Sequence, residues 1–230
     1  MTPGDPAFDA FVAERSLPLL RTAYLLAGDR AGALDLLQRS LVAVRREPAL
    51  LADPARAVAV VRRELVAGHT GWRRRIWLGD LLAGSPLMSS VSGLPGFAPQ
   101  AGAGEPRDPT TAALALLPPP ARAALVLRLG DGLSEAATAE ALRRPVEDVA
   151  ALVGQGLGRL RGPLGADDDR ESEEQLRRDL AVRGAQVTGV PDGLAAQVAD
   201  ADRSGRTHRT ALLALVAVVL AVVVLVAVTV

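Results

Sequence analysis

Two residue types that often carry structural or chemical roles are missing from this chain. It has no cysteine in 230 residues. That excludes disulfides and thiolate metal sites and agrees with a reducing compartment. It has no lysine either, so all 26 basic residues are arginine. Aromatic residues make up only 3%, and any core must be assembled from leucine, valine and alanine. Net charge is absent as well, 26 basic residues standing against 26 acidic ones. This balance hides an asymmetry. Residues 1–75 carry twelve arginines and eight acids, a net +4, and residues 110–165 carry six and five, a net +1. Residues 166–202 carry four arginines and ten acids, a net −6, before three more arginines in 203–209. A basic front and an acidic neck are different surfaces and are read separately. The two histidines are far apart in the chain, and Ser134-Glu135 has no base beside it. No nucleophile–base set is visible, so no enzyme, cofactor or metal site is expected.

What the chain does contain is one long apolar run at its C-terminal end. Residues 211–230, ALLALVAVVLAVVVLVAVTV, hold no charge and one hydroxyl, Thr229. As a helix of about 1.5 Å rise per residue this run matches the roughly 30 Å hydrocarbon core of a bilayer. It lacks the polar stripe of a soluble core helix. Arg203, Arg206 and Arg209 precede it, and positive residues stay on the cytoplasmic side. The N-terminus has no charged-then-apolar leader. The expectation is a single-pass C-terminal anchor over 210–230 in the inner (cytoplasmic) membrane, with residues 1–209 in the cytoplasm.

The remainder reads as helices. Phe8, Phe11, Val12, Leu17, Leu19, Leu20, Tyr24 and Leu25 recur at helical spacing, with Pro18 as a local break. After Gly28-Asp29-Arg30, Leu34, Leu37, Leu41 and Val44 form one stripe, and Pro54 opens a third helix to about Ala67. Residues 79–109 are Gly-, Pro-, Ser- and Ala-rich without periodicity, which is linker chemistry. Over 110–163, helical segments surround Pro118-Pro119-Pro120, Ser134 is a natural N-cap, and Pro145 opens a longer last helix. Two helices joined by a tight turn, the second longer, is a helix-turn-helix pattern. The neck, 164–209, reads as an acidic linker with a solvated helix and a shorter helix over 191–202. The expected fold class is therefore all-α: helical units over 1–78 and 110–163, a flexible linker between them, the neck and the anchor.

This layout resembles the extracytoplasmic-function branch of bacterial sigma-70 factors. The stretch Phe8–Arg46, with LLRTAYLLAGD followed by DLLQ, is similar to their region two. The stretch Ala113–Arg161, with LALLPPPARAALVLRLGDGLSEAATAEAL, is similar to their region four. The resemblance implies a membrane-tethered sigma factor whose partners are core RNA polymerase, promoter DNA, the lipid bilayer through 211–230 and an anti-sigma factor. It implies that Asp35, Leu36, Gln38, Leu41, Val44 and Arg45 face polymerase. For the leucines, intradomain core is an equal alternative. Arg62, Arg63, His69, Trp72, Arg73, Arg74 and Arg75 fall where the family handles the upstream promoter element. Arginine neutralises phosphate, and an aromatic ring can stack on an unpaired base. Arg143, Arg144, Gln155, Arg159 and Arg161 would serve the second DNA-binding surface.

The last helix departs from the family's basic pattern. Its groove-facing side offers Ala150, Leu152 and Gln155, its start carries Glu147 and Asp148, and Gly154, Gly156 and Gly158 lower its helix propensity. The arginines suit phosphate contacts better than base reading. A second reading is therefore a degenerate sigma-like adaptor that sequesters polymerase, sigma or anti-sigma partners at the membrane without reading DNA. The Gly154-x-Gly156-x-Gly158 run follows no strand pattern, which excludes a dinucleotide loop.

Overall fold

Short polar side chains start the helices. In a computed structural model that describes residues 5–82 and 109–204, Asp5 caps α1 (Pro6–Ala27) by accepting the Ala7 N–H at 3.0 Å. Asp29 caps α2 (Arg30–Arg46) through the Gly32 N–H at 2.7 Å. Asp53 accepts from Ala55 and Arg56, each at 3.1 Å, at the head of α3 (Pro54–Leu82). Each such cap contributes about 1 kcal/mol. After α4 (Pro109–Ala115) and α5 (Pro119–Leu125), the chain widens into a π-helical turn over Val126–Gly130. Ser134 then caps α6 (Glu135–Leu142), and α7 (Val146–Leu164) follows Pro145. Asp168 caps α8 (Asp169–Gln186), and a last helix, α9, covers residues 194–204. The described residues are thus all-α and contain no strand. None of their helices is long and apolar enough to cross a membrane. The expected anchor over 210–230 and residues 83–108 of the expected linker lie outside the described residues.

Three local expectations are corrected. Pro18 does not break α1: the helix runs through it. Proline removes the N–H that would have met the Glu14 carbonyl, but both residues are exposed, so water can take that carbonyl. The third helix does not end near Ala67 but continues to Leu82. Gly68 serves packing rather than termination, because a Cβ there would stand 2.6 Å from Leu36 Cδ1. Finally, the helix expected after the acidic start of the neck is present as α8, but it is not solvated on all sides. Asp168 is an N-cap, and Leu176 and Leu180 of α8 are fully buried.

The buried side chains form one cluster. Phe8, Leu20 and Leu26 of α1, Leu37 and Leu41 of α2, and Val61 and Leu65 of α3 join Leu114, Leu125, Leu127 and Leu160 from α4 to α7. Leu176 and Leu180 of α8 and Leu194 and Val198 of α9 belong to the same cluster. Each such side chain contributes roughly 1.5–3 kcal/mol when removed from water. α1 and α2 form an antiparallel hairpin about Gly28, which ends α1 at φ 90°, and α3 packs on both. α5, α6 and α7 pack together, α3 meets α5 and α6, and α8 lies against α1, α7 and the π-helical turn.

Candidate functional site

α2 divides its surface three ways. Leu36, Leu41 and Val44, all expected to face polymerase, point inward with Ala33, Leu37 and Ser40 and are buried. Their apolar surface is used within the fold. Asp35 remains on the outside, where it pairs with Arg39 one turn on. Arg45 stacks its guanidinium over the Phe8 ring, 5.6 Å from the centroid. Gln38 donates to Gln197 Oε1 of α9 at 2.6 Å.

Among the described residues, the expected DNA-contacting arginines are largely engaged by acids of the chain itself. Arg62 Nε stands 3.3 Å from Asp131 Oδ2. Glu64 lies 3.6 Å from both Arg63 Nε and Arg143 Nη2. Arg144 pairs with Asp148 at 3.5 Å, and Arg161 with Asp169. His69 is buried. Gln155 and Arg159 lie exposed on α7. Trp72, Arg73, Arg74 and Arg75 continue the backbone of α3, and their side chains lie outside the described residues. The structure therefore brings Arg62, Arg63 and Arg143 to one junction between α3 and α6. Gln155, Arg159 and Arg161 stand on a separate helix, α7.

The expected helix-turn-helix falls on α6, the turn Arg143–Pro145 and α7. α7 buries Val149, Gly156, Leu157 and Leu160, and it exposes Ala150, Gly154, Gln155, Gly158 and Arg159 on its other side. Gly156 faces inward because α5 approaches closely, and a Cβ there would meet Leu125 Cδ1 at 2.7 Å. Gly154 and Gly158 face open space.

The residues that join α1–α3 to α4–α7 were not legible as functional. Thr22 Oγ1 of α1 stands 2.8 Å from both carboxylate oxygens of Asp131 and donates to that group. Burial pushes the Asp131 carboxyl above its ordinary range, and the Thr22 hydrogen bond and the Arg62 guanidinium partly offset this. Arg122 is 1% exposed and donates to the Leu25 carbonyl at 2.9 Å, at the carboxyl end of α1. A cation there complements the helix dipole and an end carbonyl together. The sequence signal for Arg122 is a charge inside an otherwise apolar run, while Asp131 stands between Gly130 and Gly132 as an ordinary turn residue. No protein-family model and no curated protein matches the chain.

Proposed function

We propose that this chain is a sigma-like transcription factor, tethered to the inner membrane by 211–230, that binds core RNA polymerase and promoter DNA. The observation that carries the reading is the α6–α7 pair. Ser134 caps a short first helix, a three-residue turn follows, and the longer α7 presents a full outer face with its inner side anchored on α5. The α1–α3 unit ahead of it supplies a mixed outer surface on α2 and arginines on α3. Arg159 and Gln155 on the outer face of α7 suit backbone positioning, and the Arg73–Arg75 run supplies further phosphate contacts. Residues 1–209 are on this reading cytoplasmic, and an anti-sigma partner is a natural regulator.

The adaptor reading is favoured by a separate observation. Arg62, Arg143, Arg144 and Arg161 are already paired with acids of the chain. The exposed pairs of Arg143, Arg144 and Arg161 are worth about 0–1 kcal/mol each, so phosphate can compete for these three, though with lower affinity, while Arg62 is held against the buried Asp131. The test is the salt dependence of duplex promoter binding by the full chain with core polymerase. A DNA-reading factor gives a falling log affinity with log salt, at a slope of about −0.9 per phosphate contact. Arg73–Arg75→Ala should flatten that slope. A full chain that binds polymerase but shifts no DNA at any salt concentration supports the adaptor.

A further inference from the structure

The C-terminal part of the described chain follows α2 along its length. After α8, the Val187 carbonyl accepts from Arg21 Nε of α1 at 3.2 Å, and the Gly189 carbonyl accepts from Arg30 Nη2 at 3.2 Å. Gln197 then accepts from Gln38 at 2.6 Å. Asp202, whose side chain is 4% exposed, pairs with Arg46 Nε at 2.7 Å. The α2 partners in these contacts, Arg30, Gln38 and Arg46, lie on a ridge of spacing four that also holds Leu34 and Val42. Helices pack by laying such ridges against one another. Leu34 and Val42 are partly buried against the core, while Val187, Leu194 and Val198 are fully buried in it. Residues 187–204 thus run in the same direction as α2, from its first residue to its last, in contact at both ends and in the middle.

We infer that residues 187–204 are a strap that occupies the α2 ridge in cis and must leave before core RNA polymerase can bind there. The inference rests on the sigma-like reading of α2. Three features suit a segment that comes away from the fold it covers. The strap enters through Val187–Gly193, which contains no helix and includes two glycines and a proline. Its hydrogen bonds and ion pair with Arg30, Gln38 and Arg46 of α2 exchange for water at small net cost, so that Leu194 and Val198 are what must be drawn from the core. It also lies next to the proposed tether. Only six residues, 205–210, separate α9 from the apolar run, a reach of at most roughly 20 Å. An inserted anchor therefore holds the strap, and the α2 ridge beneath it, near the bilayer surface.

Full-length protein in nanodiscs tests the inference with two strap-side variants that leave α2 intact. Val198→Asp places a charge at a fully buried position, and Gln197→Ala/Asp202→Asn removes the Gln38 hydrogen bond and the charge of the Arg46 pair while keeping the apolar anchors. Amide exchange and core polymerase affinity are read on the same samples. The expected result is faster exchange confined to α2 and 187–204, unchanged protection of α1 and α3, and polymerase binding tightened about tenfold or more in both variants. Loss of protection throughout α1–α3 in the milder double variant would overturn the strap, because the segment would then be integral to the fold. Equal polymerase affinity for the parent and an opened variant would overturn the gating while leaving the sigma-like reading in place. Failure of parent and opened variants alike to bind polymerase would overturn the sigma-like reading itself, and the gate with it.

Discussion

Gly154, Gly156 and Gly158 stand two residues apart on α7, yet their surroundings differ, so one substitution has opposite effects at neighbouring sites. A Cβ at Gly154 or Gly158 meets nothing within 4 Å. Alanine there should stabilise the fold by up to about 1 kcal/mol each through helix propensity alone. At Gly156 the same propensity gain is opposed by overpacking against Leu125, typically about 1–3 kcal/mol, and the net change should be a loss. Urea unfolding of the three single variants checks this, and a Gly156→Ala protein as stable as Gly154→Ala would contradict the packing.

Arg143, which ends α6, is the one non-glycine residue at positive φ among the described residues, at 52°. A left-handed residue with a Cβ costs about 1–2 kcal/mol. Arg143→Gly relieves this and Arg143→Ala does not, while both lose the exposed pair with Glu64. The glycine variant should therefore be about 1 kcal/mol more stable than the alanine variant. Equal midpoints in urea would argue against the strained turn.

Asp131 makes stability depend on pH in a defined direction. Its folded pKa is raised, so the folded state holds this proton more tightly than the unfolded chain. The resulting stabilisation is fully present below the unfolded value, near 3.8, and is lost as pH rises through the folded value. Asp131→Asn keeps the shape and removes the titration. The parent should lose stability relative to the variant as pH rises from the unfolded value through the folded one, and a difference that stays flat as pH rises would refute the burial argument.

At the scale of elements, Arg122 joins α5 to the end of α1. Arg122→Met should cost about 1.5–3 kcal/mol, the worth of a buried hydrogen bond to a charged group. It should also lower the denaturant slope if the two groups of helices then melt separately. An unchanged midpoint and slope would show that the contact carries no load.

The helix starts were legible because their causes are local: Pro54 at the head of α3, Ser134 at the cap of α6 and Pro145 before α7 each act within one turn. The fate of α8 was not. Its many charges read as a solvated helix, and Leu176 and Leu180 give too narrow an apolar stripe to announce that α1 and α7 cover it. The expected end of the third helix near Ala67 fails at Gly68, because the Leu36 contact that explains this glycine comes from another helix. The candidate site divides in the same way. The expected residues on α2 and α3 come from the family resemblance. The pairing of Arg62 with Asp131, and of Gln38 with Gln197, joins residues far apart in the chain and is visible only once the helices are packed.

For the molecule as a whole, residues 1–165 are a poor unit for experiment, since removing α8 would uncover the surfaces that Leu176 and Leu180 bury. Among the described residues, the ridge of α2 that holds Arg30, Gln38 and Arg46 lies under residues 187–204, and Arg62, Arg143, Arg144 and Arg161 are paired with acids of the chain. On the proposed sigma-like reading, this arrangement suits a factor held inactive until released. The most direct test of the central claim is transcription from genomic DNA fragments by core RNA polymerase reconstituted with the full-length chain, parent and Gln197→Ala/Asp202→Asn side by side, with start sites mapped. The sigma-like account predicts discrete start sites that depend on the chain and increase in the strap variant. Polymerase that binds the chain yet initiates nowhere above background, in either form, would contradict it.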